Sequence, residues 1–256
     1  MARDISQAVR DVCLWLPEAE EFVSHGSPNF RVRGKTFATY VVNHHGDGRV
    51  ALWLNTPAGA QEHHVEAEPR HFFVPPYVGP RGWLGVMVDR GIEWQRIAQL
   101  VREAYEKVAP PQLRGQIGES PTIKPPAKAL SASQVDPFKS ARALSVLAKL
   151  RKICLSYPES SEDSQFGHPI WVAGKKTFAM ARYAAKRLTL CFWVGVDQQG
   201  LLTADSRYAI PAYIGHNGWI GLDVTQECDW REIEGLALQS YRHFALKRML
   251  QNLKRD

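Results

Sequence analysis

Apolar residues near the start of the chain fall at Val9, Val12, Cys13 and Leu16, while Arg10 and Asp11 turn the other way. Spacings of three, four and seven line one face at 3.6 residues per turn, which predicts a helix over 6–16 that Pro17 stops. The pattern then changes to short runs rich in β-branched and aromatic residues at 28–32, 36–42 and 49–54. They are separated by Arg33-Gly34-Lys35 and by Asn43-His44-His45-Gly46-Asp47-Gly48, so they read as an antiparallel meander. Thr56-Pro57 reads as an N-cap with a first-turn proline, opening a short helix that ends before Pro69. Strands are expected at 72–74 and 83–88. Helical spacing returns with Trp94, Ile97, Val101, Ala104, Tyr105 and Val108, and Pro110-Pro111 ends that helix.

The same order then recurs. Asp136-Pro137 is expected to cap a helix burying Leu147, Leu150 and Cys154, with Pro158 as its stop. Cys13-Leu14-Trp15-Leu16-Pro17-Glu18 matches Cys154-Leu155-Ser156-Tyr157-Pro158-Glu159 at an offset of 141, as Lys35-Thr36-Phe37-Ala38 matches Lys176-Thr177-Phe178-Ala179. Pro75-Pro76-Tyr77-Val78-Gly79-Pro80-Arg81-Gly82-Trp83-Leu84-Gly85 returns as Pro211-Ala212-Tyr213-Ile214-Gly215-His216-Asn217-Gly218-Trp219-Ile220-Gly221 at an offset of 136. The chain is a tandem duplication. Five residues are lost between these segments, in positions that fit the second hairpin turn and the short middle helix.

Helices bracketing a run of strands indicate an α+β protein of two tandem two-layer sandwiches, each an antiparallel sheet with two long helices on one face. The domains are placed at 1–109 and 137–256, with 110–136 as a mobile linker because Pro110, Pro111, Pro121, Pro125 and Pro126 sit there among few large apolar residues.

Composition narrows the class without naming an activity. Of 256 residues, 45% are hydrophobic and 23% charged, as in ordinary globular proteins. No apolar run suits a membrane span and no signal-peptide core opens the chain, so a cytoplasmic protein without membrane partners is expected. Four cysteines without CxxC or Cys/His ligand spacing suggest buried thiols and no structural zinc. Charge is uneven: residues 1–109 carry 12 Lys/Arg against 13 Asp/Glu, whereas 137–256 carry 17 against 11. The basic second repeat makes a polyanion partner thinkable.

The helix ending Leu16-Pro17-Glu18, the Gly26-Ser27-Pro28-Asn29-Phe30 and Gly167-His168-Pro169-Ile170-Trp171 segments, Gly34-Lys35-Thr36-Phe37-Ala38 and the Pro-Tyr-Gly-Trp motif together resemble the MmcQ/YjbR family. The resemblance covers about 100 residues of each half, although the family usually appears as a single unit. It implies a frataxin-like (CyaY-like) sandwich and a DNA-binding label drawn by analogy from exposed hairpins, which fold alone does not establish.

Candidate nucleic-acid contacts are Lys175 and Lys176 at the first hairpin turn of the second copy, Arg182 at the end of the next strand and Lys186-Arg187 at the second turn. The first copy offers Arg31, Arg33 and Lys35. The competing reading makes these solvated charges that protect sheet edges. Tyr77 and Tyr213 are open to exposure and base stacking, while Trp83 and Trp219 are expected to plug the core. His44-His45 and His63-His64 are poor metal pairs, because neighbouring side chains point apart. Glu18, Glu20, Glu21, Glu159, Glu162 and Asp163 read as solvated loop charge. Without a GxSxG, P-loop, GxGxxG or HExxH motif, no catalytic residue, metal or cofactor is expected. The leading expectation is a non-catalytic DNA-binding protein, with a protein-partner or small-ligand scaffold as the alternative.

Overall fold

In a computed structural model the first helix, α1 (Ile5–Leu14), buries Ile5, Ala8, Val9, Val12 and Cys13, and the Asp4 carboxylate accepts from the Gln7 amide at 2.8 Å. The structure describes residues 4–184 and 186–253, and the chain divides between Val135 and Asp136 into two compact units. Lys254 and Arg255 of the expected basic tail lie outside the described residues.

In the first unit, β1 (Glu20–Ser24), β2 (Ser27–Val32), β3 (Lys35–Val42) and β4 (Val50–Leu54) form a meander. After α2 (Ala60–Ala67), the strands β5 (Phe72–Phe73) and β6 (Leu84–Met87) complete an antiparallel sheet in the order β1-β2-β3-β4-β6-β5. The helix α3 (Trp94–Val108) packs on β2, β3 and β4 and also contacts α1, so both long helices cover one face. Between sheet and helices lie Phe30, Phe37, Leu52, Leu54, Val86, Ile97, Val101 and Tyr105.

Two expectations about this half need correction. Glu20 and Glu21 belong to an edge strand rather than a loop, and its polar sequence hid it. Charge suits that position, since it guards an unpaired edge. Arg10 grips Glu21 through two bonds, at 2.8 and 2.9 Å, tying α1 to this edge. Thr56 does not cap α2, whose N-cap is Gly59; the Thr56 hydroxyl donates to the Gly82 carbonyl at 2.9 Å.

The proline-rich stretch after α3 is not loose either. Pro111–Arg114 forms a turn of helix, α4, that buries Leu113. Ile123 is 7% exposed in the first core, and Ile117, Leu130 and Val135 pack against it. A short helix, α5 (Ala132–Val135), ends the unit. A few apolar side chains at intervals are enough to hold an extended strap, even where composition reads as linker.

The second unit repeats the plan: α6 (Ala141–Leu155), β7 (Ser160–Gln165), β8 (His168–Ala173), β9 (Lys176–Ala184), β10 (Arg187–Trp193), α7 (Val196–Leu202), β11 (Tyr208–Ala209), β12 (Trp219–Asp223) and α8 (Trp230–Phe244). Its sheet order, β11-β12-β10-β9-β8-β7, is that of the first unit. Asp136 caps only a single turn, Pro137–Lys139, while Ser140 caps α6 by accepting from the Ala143 amide at 3.3 Å. Glu162 and Asp163 sit on the edge strand β7, and Arg151 grips Glu162 as Arg10 grips Glu21. After α8, α9 (Lys247–Asn252) buries Met249 as α4 buries Leu113. The repeat therefore extends past the long closing helix in both copies.

A matched clamp closes each unit. The Tyr105 hydroxyl donates to the Pro17 carbonyl at 2.7 Å, and the Tyr241 hydroxyl to the Pro158 carbonyl at 2.6 Å. Each joins the closing helix to the end of the opening one. Tyr105→Phe is expected to cost about 1–2 kcal/mol, the loss of one bond to a carbonyl left unpaired. A urea midpoint unchanged from the parent would contradict that.

Gly235 lies inside α8, where a glycine costs about 0.5–1 kcal/mol relative to alanine. A Cβ added there would meet nothing within 4 Å, so packing does not require the glycine. Gly235→Ala is expected to stabilise the second unit by about 0.5–1 kcal/mol in chemical denaturation.

Candidate nucleic-acid interface

The repeated Pro-Tyr-Gly-Trp segment is built as a rigid corner. In each copy it makes one turn of 3-10 helix, Gly79–Arg81 or Gly215–Asn217, closed by a left-handed glycine, Gly82 at φ +78° or Gly218 at φ +84°. A side chain on Gly79 would run into Val74, and one on Gly215 into Ile210. A buried glutamine holds the corner from the middle helix. The Gln61 side-chain amide donates to the Gly79 and Trp83 carbonyls at 2.8 and 2.5 Å, and that of Gln199 to the Gly215 and Trp219 carbonyls, both at 2.7 Å. These glutamines are 7% and 6% exposed. Sequence reasoning missed them, although a glutamine recurring at an offset of 138 was a visible signal.

The corner also projects an aromatic ring. Tyr77 and Tyr213 both hold left-handed backbone, φ +63° and +70°, and are 66% and 84% exposed. A bulky residue is strained in that region. In the first copy the ring is engaged: its hydroxyl lies 3.0 Å from His45 Nε2, and the His44 ring packs edge-on to it at 5.8 Å. In the second copy the hairpin turn is three residues shorter and brings no histidine to Tyr213.

The two sheets differ most on the face away from the helices. Successive strand residues point to opposite faces, so with Leu188, Leu190 and Phe192 in the core, Thr189 and Cys191 belong to the other face, where Cys191 is itself covered and fully buried. Across the register, the first sheet places Val41, Ala51, Trp53, Phe73 and Met87 where the second has Arg182, Thr189, Cys191, Ala209 and Asp223. The first set forms an apolar cluster completed by Val78 and Trp83. Trp83 thus plugs this outer cluster and not the main core. Trp219 is buried and stacks on Phe244 at 5.8 Å between ring centres.

The eight candidate cations separate by position and by partner. Arg31 pairs with Glu20 at 2.7 Å and lies over the Phe22 ring, while Arg33 pairs with Glu18. Both pairs are solvent-exposed and so are weak restraints, with the Arg33 side chain 65% exposed. Lys35 opens β3 and is exposed. In the second copy Lys175 is in the β8–β9 turn and Lys176 opens β9, whereas Lys186 is in the next turn and Arg187 opens β10. The nine residues of β9 separate these ends by about 27 Å at 3.3 Å per residue. Arg182 sits within β9, two residues before its end, and donates to the Ala212 carbonyl at 3.2 Å. That bond lays the Tyr213 corner beside the Lys186 end. Arg187 is 3.4 Å from Asp223 but its side chain stays 64% exposed. Arg182, Lys186, Arg187 and Tyr213 are brought together; Lys175 and Lys176 are not among them.

A YjbR family model matches residues 14–107 and again 155–243, most of the chain in two segments. The chain belongs to the YjbR family. Among solved structures, Deinococcus radiodurans protein DR2400, a DUF419 domain, is similar at 18% identity, covering 45% of this chain and 88% of that one with a TM-score of 0.37. A search of curated proteins finds no match.

The other candidate side chains in the two YjbR units pack against aromatic rings or are buried. His44 is held to lower pKa by burial and by the neighbouring His45, and its ring packs edge-on to Trp53 at 4.9 Å. His64 is also lowered, first by burial, and leans on Phe72. Among the described residues no group of three or more His, Cys, Asp or Glu could hold a metal. Burial pushes the Cys191 thiol up to about 12, with Arg182 pulling it slightly back, so the thiol stays protonated at neutral pH. Among the described residues no helix is long and apolar enough to cross a membrane.

Proposed function

We propose that this tandem YjbR protein is a non-catalytic nucleic-acid-binding protein, and that the outer face of its second sheet is the contact surface. The exchange of an apolar cluster for Arg182, Thr189, Cys191, Ala209 and Asp223 carries this reading. The core, clamps and corner are kept in both copies, while this face diverges. Arg182, Lys186 and Arg187 supply phosphate contacts, and Tyr213 offers a ring face for a base. Exposed aromatic beside cations suits a single strand better than a duplex, whose bases are already stacked. The first unit serves as a closed relative of the second. All four cysteines are free thiols, which fits action in the reducing cytoplasm.

Fluorescence anisotropy with a labelled single-stranded oligonucleotide, at about 50 and about 200 mM salt, tests the proposal. Binding is expected to weaken steeply with salt. The combined Arg182→Glu, Lys186→Glu and Arg187→Glu variant is expected to bind at least about tenfold more weakly at low salt, with a shallower salt slope. Absence of binding at low salt, or an unaffected variant, sinks the reading.

A further inference from the structure

A second difference between the copies lies on the helix side. Trp15 follows α1 and packs against the first core, while its counterpart after α6 is Ser156. Beside Ser156 an open groove of about 590 Å³ runs between α6 and α8. Its apolar lining includes Ile153, Tyr157 and Leu238, and Gly235 leaves the α8 wall bare where the first copy has Gln99. That glycine has no packing reason, since a Cβ would meet nothing within 4 Å. Two positions that would fill the groove thus carry the smallest side chains, one at a cost to its helix. The rim has changed too: Lys152 replaces Asp11 and Arg231 replaces Gln95, and neither cation has an ion pair among the described residues. With Glu234 also in the lining, the groove carries one net positive charge.

We propose that this groove is a binding site for a small planar aromatic acid. The ring occupies the apolar floor beside Tyr157, in space left by the missing indole, and a single anionic group lies towards Lys152 and Arg231. A volume in the usual range for ligand sites and a matching monoanionic charge set the ligand class. The site is independent of the nucleic-acid surface, being on the opposite side of the second sheet.

Titration of the full ¹⁵N-labelled chain with indole-3-acetate, followed by amide shifts, tests this. Saturable shifts are expected at Ser156, Gly235 and Leu238 with a dissociation constant of about 1 mM, the scale for a ligand of this size in a shallow site. Ser156→Trp is expected to abolish them while the rest of the spectrum stays in place. Lys152→Glu with Arg231→Glu is expected to weaken the acid about fivefold or more and to leave neutral indole unchanged. Absence of saturable shifts at these amides, shifts that survive in a folded Ser156→Trp protein, or tryptamine binding as tightly as the acid would each overturn the proposal. If Ser156→Trp does not fold, the charge-reversed pair decides, and acid binding undiminished in that variant overturns the proposal.

Discussion

Replacing Gln199 with leucine is expected to destabilise the second unit by about 3 kcal/mol, more than most single substitutions cost. Leucine has similar bulk and fills the same space, so the effect comes from hydrogen bonding and not from a cavity. The Gln199 amide is the donor to both the Gly215 and Trp219 carbonyls at 2.7 Å, in surroundings that water does not reach. Without it two buried carbonyls lose this partner, at roughly 1–3 kcal/mol each with some relief by relaxation. Gln199→Glu is expected to be as harmful at neutral pH, because an ionised carboxylate has no hydrogen to offer either carbonyl. In urea denaturation of the full chain the transition of the second unit is expected to move to lower denaturant. A Gln199→Leu protein within about 0.5 kcal/mol of the parent would show that the corner does not depend on this clamp.

Gly218→Ala is expected to cost a similar amount, about 3 kcal/mol, and the equivalent Gly82→Ala only about 1 kcal/mol. Both glycines hold left-handed backbone, φ +84° and +78°, where alanine pays a strain of about 1 kcal/mol. They differ in what surrounds them. A Cβ on Gly218 would lie 2.8 Å from Gly195 Cα and 2.9 Å from its carbonyl carbon, which are backbone atoms that cannot swing aside; a Cβ on Gly82 meets nothing within 4 Å. The amides of Val194 and Gly195 both bond to the Gly218 carbonyl, so any shift to relieve the overlap also strains the β10 end. Equal costs in thermal or urea unfolding would mean that φ alone governs this position.

Much of the fold was legible because its signals are local. Helical spacing in α1, α3 and α8 reflects one buried face, and the recurrence of the corner motif exposed the duplication without any structure. Three of the five lost residues fall in the β3–β4 turn, which is longer than its β9–β10 counterpart, and the other two fall between the clamping glutamine and the next strand, where α7 ends sooner after Gln199 than α2 does after Gln61. What escaped is set by tertiary partners. The edge strands β1 and β7 are polar because one side faces water, and their carboxylates look like loop charge until Arg10 and Arg151 are seen to grip them. Thr56-Pro57 has the composition of a helix cap, yet the hydroxyl serves the corner instead. Ile123 reveals the packed strap only through burial. The exchange of Val41, Trp53 and Phe73 for Arg182, Cys191 and Ala209 is invisible until strand register aligns the two outer faces. Charge counting directed attention to the second repeat, and a meander places its two basic turns at opposite sheet ends, so Lys175 and Lys176 lie about 27 Å from the Lys186 turn.

Hydrogen–deuterium exchange on the full chain, with and without a saturating single-stranded oligonucleotide at low salt, tests most directly whether function lies on the diverged outer face. Added protection is expected at 182–187 and 211–214, with the matching first-unit segments 41–49 and 75–78 unchanged. Protection confined to 174–176 and α9, or spread equally over both units, would contradict a site made by the divergence of the second sheet.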